Sequence, residues 1–342
     1  MINELKAYNA FNVALAADYR KLERIYKMYG SWPEAWAAEQ SAYKVNAEKE
    51  WDKLGEHGIE LVLMGDSRYP KLLKEIPWVP HGIYYRGKLS EAPTVAIVGT
   101  RKVSDVGRKL AFDFGKDLAG RGMTVASGLA LGVDASAHEG ALEAGGITLA
   151  VLAVGLDRVY PARHQALAEK IIQSGGALIS EYPVGMVSYE GNFIQRNRIV
   201  SGLSLGTIII EAPERSGALA TARFALDQNR EVMVTPGPAR HPNYVGSHGL
   251  IKAGAQLITS SEDVLESLGL SSKEETGQTL ELPNIGGDEA KICGVLKTEG
   301  RKLNVDKISD LSKIDAQTVS RLLTFLVMRG IIKETTDGQY YI

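Results

Sequence analysis

Residues 94–144 read TVAIVGTRKVSDVGRKLAFDFGKDLAGRGMTVASGLALGVDASAHEGALEA. TVAIV (94–98) is a short β-branched run that ends at Gly99-Thr100-Arg101. A helix follows, with Ser104 or Asp105 as its N-cap and Val106, Leu110, Phe114 and Leu118 as its apolar stripe. Gly120 and Gly122 stop it. MTVA (123–126) is the next strand. The glycine loop SGLALGVD (127–134) then feeds a helix that runs through Ala144.

The pattern repeats downstream. ITLAVLAV (147–154), ALIS (177–180), TIIIEA (207–212) and EVMVTPG (231–237) read as strands. Helices end near Gln173 and span 193–202 and 217–228. Strands apolar on both faces, alternating with helices, predict a parallel sheet covered on both sides. In such sheets ligands bind outside the carboxyl ends of the strands. The glycine-rich and basic segments fall there.

The fold class expected is therefore α/β, an extended Rossmann-like parallel sheet, with a helical N-terminal domain and a C-terminal winged helix. Residues 1–68 carry helical patterning over 4–28 and 33–56 and form a small helical domain. The Rossmann-like domain spans 69–268, of which 69–90 is an irregular connector. Residues 269–287 are polar and glycine-rich and read as a linker. Residues 288–342 fit helices over 288–297 and 304–312 and a third capped by Asp315. That third helix carries Val319, Leu322, Leu323, Leu326 and Val327 and stops at Gly330; a hairpin then turns at Asp337-Gly338.

Composition narrows the class. Of 342 residues, 44% are hydrophobic and 23% charged, which excludes a disordered chain. Lys+Arg number 39 and Asp+Glu 41, so any nucleic-acid site has to be a local basic patch. The single cysteine, Cys293, excludes an internal disulfide and suits a reducing cytoplasm. No signal peptide is visible, and the longest apolar stretch, 148–156, falls short of the ~20 residues of a membrane helix. The expectation is a cytoplasmic protein with no membrane partner.

The candidate site residues lie after the strands. Gly99, Thr100 and Arg101 can hold a phosphate through main-chain N–H groups and a guanidinium. Ser127 and Gly128 through Gly132 let a ligand approach the backbone, but match neither GxGxxG nor a P-loop. Asp134 is read as the cap of the following helix and His138 as packed inside it. Phe193, Gln195, Arg196, Asn197 and Arg198 set two arginines two apart, one to face a ligand and one to brace it. Ser216 and Gly217 offer a hydroxyl and a helix N-terminus to an anion. No metal-ligand spacing, nucleophile elbow or paired acid and base appears; Asp157, Glu181 and Glu211 are scattered. No cofactor is expected and no catalytic residue is assigned.

IVGTR (97–101), SGLALGVDASAHEGAL (127–142), GLDRVYP (155–161), ISEYP (179–183), FIQRNRIVSGLS (193–204), SGALATA (216–222) and TPG (235–237) together resemble the DNA-processing protein A (DprA, or Smf) family of bacterial recombination mediators. The resemblance covers about 69–268. It implies a single-stranded DNA-binding Rossmann domain that dimerises. It also implies a protein that protects incoming single strands and loads the RecA recombinase during natural transformation in competence. The family's DNA-binding positions fall on Arg101, the 127–132 loop, Arg196 and Arg198. Ala162 stands where members often carry lysine, with Arg163 next to it.

Two other classes were weighed. A nucleoside-monophosphate-processing enzyme of the lysine-decarboxylase-like Rossmann group needs the catalytic glutamate of a PGGxGTxxE element, and the matching segment ERSGALATA (214–222) has Thr221 and no glutamate in that place. A major-groove reader would rely on Gln317, Ser320, Arg321 and Thr324 of the third C-terminal helix, a thin set.

Overall fold

The computed structural model describes residues 2–187, 189–270, 287–328, 331–335 and 338–341. It divides into two compact units, Met1–Ser271 and Ser272–Ile342. Most of the linker expected at 269–287, the stop at Gly330 and Asp337 of the hairpin turn lie outside the described residues.

The first unit opens with four helices, α1 (Glu4–Ala14), α2 (Tyr19–Tyr29), α3 (Trp32–Glu39) and α4 (Ala47–Glu56). Their core is aromatic. Tyr8 meets Trp32 edge-on at 5.1 Å, and Phe11 meets Trp36 at 5.0 Å. Buried amides tie this core to the sheet: Asn12 Nδ2 donates to Tyr84 Oη and to the Glu181 carbonyl, both at 3.0 Å, and Tyr84 Oη donates to Asn9.

The sheet then follows. Its strands are β1 (Glu60–Leu63), β2 (Gly82–Gly87), β3 (Thr94–Val98), β4 (Thr124–Ser127), β5 (Thr148–Val151), β6 (Ala177–Ser180), β7 (Gly206–Ile209), β8 (Glu231–Val234) and β9 (Gln256–Leu257). The order is β1-β2-β6-β5-β4-β3-β7-β8-β9. From β6 to β9 every pairing is parallel. Strands β1 and β2 are antiparallel additions, β2 pairing with β6 from Tyr84↔Ser180 to Gly87↔Ala177.

These two strands correct the sequence reading, which left both outside the sheet. Strand β1 has only four residues, and β2 follows a stretch broken by prolines. Their strand character comes from pairing with a distant edge rather than from a local pattern.

Helices α5 (Asp105–Gly120), α6 (Val133–Glu143), α7 (Gln165–Gln173), α8 (Glu190–Gly202), α9 (Gly217–Asp227), α10 (Val245–Lys252) and α11 (Ser261–Ser267) complete the unit. Ser104 caps α5, its side chain accepting from the Gly107 N–H at 3.0 Å. The stripe on α5 differs from expectation: Val106 is 65% exposed, while Gly107, Ala111 and Gly115 join Phe114 and Leu118 on the buried face. The reason is close approach. A Cβ on Gly115 would lie 2.3 Å from the Ala137 carbonyl oxygen, and one on Gly140 would lie 2.0 Å from that of Phe112. The seam between α5 and α6 is built from what the side chains lack.

The second unit contains α12 (Gly287–Glu299), α13 (Val305–Ser312) and α14 (Ala316–Met328), then β10 (Lys333–Glu334) antiparallel to β11 (Tyr340–Tyr341). Asp315 caps α14 through the Thr318 N–H, as expected. Ile292, Leu296, Ile308, Val319, Leu323 and Leu326 form its core.

The seam makes one prediction. Gly140→Ala should destabilise the fold by about 1–3 kcal/mol, because the methyl must displace backbone. Gly120→Ala, whose methyl would only touch the Ala144 side chain at 3.9 Å, should be neutral or stabilising. Urea midpoints of the two variants check this.

Candidate functional site

A cleft of about 660 Å³ opens at the carboxyl ends of β3, β4 and β7. Strand β3 lies between β4 and β7, so this is the point where the chain's winding reverses. The cleft gathers Gly99, Thr100 and Arg101 after β3, Gly128 after β4, Phe193, Arg196 and Asn197 from α8, and Ser216 and Gly217 at the start of α9.

Arg196 forms its floor. The side chain is 4% exposed, and its Nη1 donates to the Gly128 carbonyl at 2.8 Å and to that of Val151. Only glycine fits above it, since a Cβ on residue 128 would lie 2.6 Å from Nη2. Burial pulls the Arg196 pKa down, while the Asp134 carboxylate opposes the shift. Asp134 in turn accepts from the N–H groups of Gly128 (3.0 Å) and Ala130 (3.3 Å). It therefore staples the loop after β4 rather than capping its own helix.

The rim is exposed and cationic. Arg101 lies over the Phe193 ring at 5.3 Å, and Tyr160 meets Phe193 at 5.3 Å. Arg101 and Arg215 are exposed and make no ion pair among the described residues. Asn197 joins floor to rim: its Oδ1 accepts from Arg196 Nε, and its Nδ2 donates to the Gly217 carbonyl. Ser216 spends its hydroxyl oxygen on the Ala218 N–H, which leaves the positive end of α9 facing the cleft.

Five expected site residues are not brought to this cleft. Ser127 is fully buried and donates to the Ile97 carbonyl at 2.6 Å. Gly132, at φ +81°, packs its α-carbon against the Thr100 carbonyl behind the loop. Arg163 lines a separate groove beside α6 and α7. Gln195 and Arg198 lie on the other face of α8. Arg198 is 1% exposed and engages Glu181 through two nitrogens at 2.6 and 2.8 Å, so it braces the fold. The two-residue spacing turns Arg196 and Arg198 to different sides of one helix.

Arg215 and Glu190 line the cleft but were not assigned to it from sequence, and Tyr160, which the sequence leaves between stacking on a base and packing in the core, lines it as well. Arg215 lies in the loop after β7, and that position was its one available signal.

Three carboxylates near this edge are committed elsewhere. Glu181 holds Arg198. Glu211 accepts from Ser104 and from Asn243, and these bonds hold its pKa low against burial. Asp157 accepts from the Gly185 N–H and Arg158, with the same net direction against burial. His138 is packed, as read: its Nδ1 lies 2.6 Å from Thr148 Oγ1, whose hydroxyl donates to the Val125 carbonyl. The ring therefore carries its proton on Nδ1. Its Nε2 is buried without a partner, and burial lowers its pKa to about 3. Among the described residues no three His, Cys, Asp or Glu side chains group as metal ligands would.

A sequence model of the family described as DNA recombination-mediator protein A matches residues 60–269, starting at the first residue of β1. The chain belongs to that family. Protein Smf of Escherichia coli K12 is a similar relative, 44% identical over 202 residues, which cover 58% of this chain and 54% of that protein. DNA processing protein DprA of Bacillus subtilis 168 is 36% identical over 216 residues, 62% of this chain and 72% of that one. The chain thus spans about half the length of the Escherichia coli relative. The X-ray structure of DNA processing protein A from Streptococcus pneumoniae has a TM-score of 0.62 and 30% identity, covering 77% of this chain and 95% of that one. A DNA processing protein A of Helicobacter pylori, solved for its single-stranded DNA binding mode, has a TM-score of 0.56 and 29% identity over 62% of this chain and 97% of that one. The extended Rossmann-like class is thereby the family's fold.

Two stability predictions follow from this bracing. Glu181→Gln strands the Arg198 charge and should cost about 3–5 kcal/mol, whereas Glu181→Leu with Arg198→Met should recover most of it in chemical denaturation. For His138, the unfolded chain binds a proton below the ordinary value of 6.5 that the native state refuses until about 3. Stability from this group is complete above 6.5 and is lost as the pH falls toward 3. His138→Asn should flatten that limb of the stability–pH curve relative to the parent.

Proposed function

We propose that this recombination mediator binds unpaired DNA in the cleft at the carboxyl ends of β3, β4 and β7. One observation carries the reading: exposed, unpaired Arg101 and Arg215 and the Phe193–Tyr160 pair surround a floor of buried Arg196 and open main chain. Guanidinium groups at the rim take phosphates in a sequence-independent way. The aromatic pair and the glycine-walled floor take a base. A base inside a duplex is stacked and unavailable, so single strands are preferred. The Helicobacter pylori structure of similar fold supports this ligand.

The protein acts by binding, without making or breaking a bond. It protects incoming single strands and loads RecA onto them during natural transformation. It works in the cytoplasm as a homodimer through the Rossmann-like domain, so that one particle presents two clefts. No described helix is long and apolar enough to cross a membrane. In the second unit, three helices followed by an antiparallel pair are the element order of a winged helix, which serves here as an accessory contact module.

Fluorescence anisotropy with labelled oligo-dT checks the site. Arg101→Ala and Arg215→Ala should each weaken binding about tenfold at moderate salt and reduce the log–log salt slope by about 0.7. Unlabelled single strand should compete far better than duplex or mononucleotide. Unchanged affinity in the double variant refutes the cleft. Base released from nucleoside monophosphates would favour the enzyme reading. Loading is tested by RecA strand exchange on DNA precovered with single-strand-binding protein, which should quicken when this protein is added.

A further inference from the structure

Helix α8 has a second working face. Residues 193, 196, 197 and 200 line the cleft, while 192, 195 and 198 line a groove of about 590 Å³ on the opposite side. Ile194, 51% exposed, borders both. The groove is walled by Trp78, Phe224 and Tyr19, with Arg20 at its margin. Trp78 is 56% exposed and meets Phe224 at 6.5 Å, while Tyr19 covers the Arg198 guanidinium at 6.0 Å. A tryptophan this open on a folded surface costs hydration free energy unless something covers it.

Two observations say what covers it. Asn192 is only 9% exposed and lines the groove, yet its Nδ2 has no hydrogen-bond partner among the described residues. A buried donor left unpaired is costly, and a turn of the Asn192 side chain toward the groove would let a base carbonyl satisfy it. Arg20 is exposed and makes no ion pair among the described residues, although its neighbour Lys21 pairs with Asp18. An aromatic platform, an idle amide donor and a free guanidinium beside it are the parts of a nucleotide subsite.

The geometry points to a second base-accepting subsite in this groove, filled by the same unpaired strand after it leaves the cleft and crosses α8 at Ile194. The inference rests on the cleft reading above. A base stacks on Trp78, its carbonyl accepts from Asn192, and the adjoining phosphate meets Arg20. Gln195, which the cleft does not use, stands within the groove. The strand thus wraps the first turns of α8, and the two faces of one helix read successive parts of it.

The test uses the full chain and two oligonucleotides, dT4, which only the cleft need hold, and dT20, which can reach both. In the parent, dT20 should quench Trp78 emission and dT4 should not. Trp78→Phe, which retains an aromatic face, serves as the spectroscopic blank, because it keeps the emission of buried Trp32 and Trp36 and of half-buried Trp51. Trp78→Ala should weaken dT20 by about 5–150-fold and leave dT4 unchanged, with Trp78→Phe restoring most of the loss. Arg20→Ala should lower the dT20 salt slope by about 0.7 and leave that of dT4 alone. Arg101→Ala should weaken both oligonucleotides. If Trp78→Ala binds dT20 as the parent does, or loses dT4 equally, the subsite is refuted; a groove kept for a peptide partner would give the first result. If Arg101→Ala changes neither oligonucleotide, the cleft reading fails instead.

Discussion

Two guanidinium groups on one helix hold the working edge of this protein together. Arg196 reaches the carbonyls of Gly128 and Val151, and Arg198 grips Glu181 while donating to the Trp78 carbonyl. Gly128, Val151 and Glu181 follow or end β4, β5 and β6, so α8 laces three strands at their carboxyl ends. Neither charge is solvated. Each is compensated by its own acid, Asp134 beneath the cleft and Glu181 beneath the groove. Removing either acid leaves a positive charge stranded in low dielectric.

That arrangement sets what the cleft presents to a ligand. Asp134, Glu181 and Glu211 are already occupied in fixing loops and arginines. Arg101, Arg215, Phe193 and Tyr160 line the rim, and Glu190 is a carboxylate that lines it with them. Glu211 shows the economy of the design. Its main-chain oxygen accepts from Thr100 and its carboxylate from Ser104 and Asn243, so one residue anchors the loop that carries Arg101. Field and shape are set before any ligand arrives, which limits what binding must spend on ordering.

Much of this was legible in the sequence. Six expected strands, 94–98 and its successors, lie in the parallel part of the sheet, because runs apolar on both faces have no alternative to burial there. The site loops were legible because parallel sheets place function at one end. Which arginine would brace was not legible: the decision lies with Glu181, seventeen positions away, and with Gly128, whose missing side chain admits Arg196. The strands at 60–63 and 82–87 escaped for a related reason, since their pairing partners are each other and β6. Arg215 escaped because nothing local separates a rim arginine from an ordinary surface one.

The sheet ends differently on its two sides. One border is the antiparallel β1–β2 pair, tied to the aromatic helical core; the other is β9, two residues long. Bare ladder ends on a sheet invite fusion with a second copy. A border this short offers almost no template to a neighbour, and one fastened to helices is held in place. Copies can meet at these borders without joining their sheets and still part as intact folded bodies.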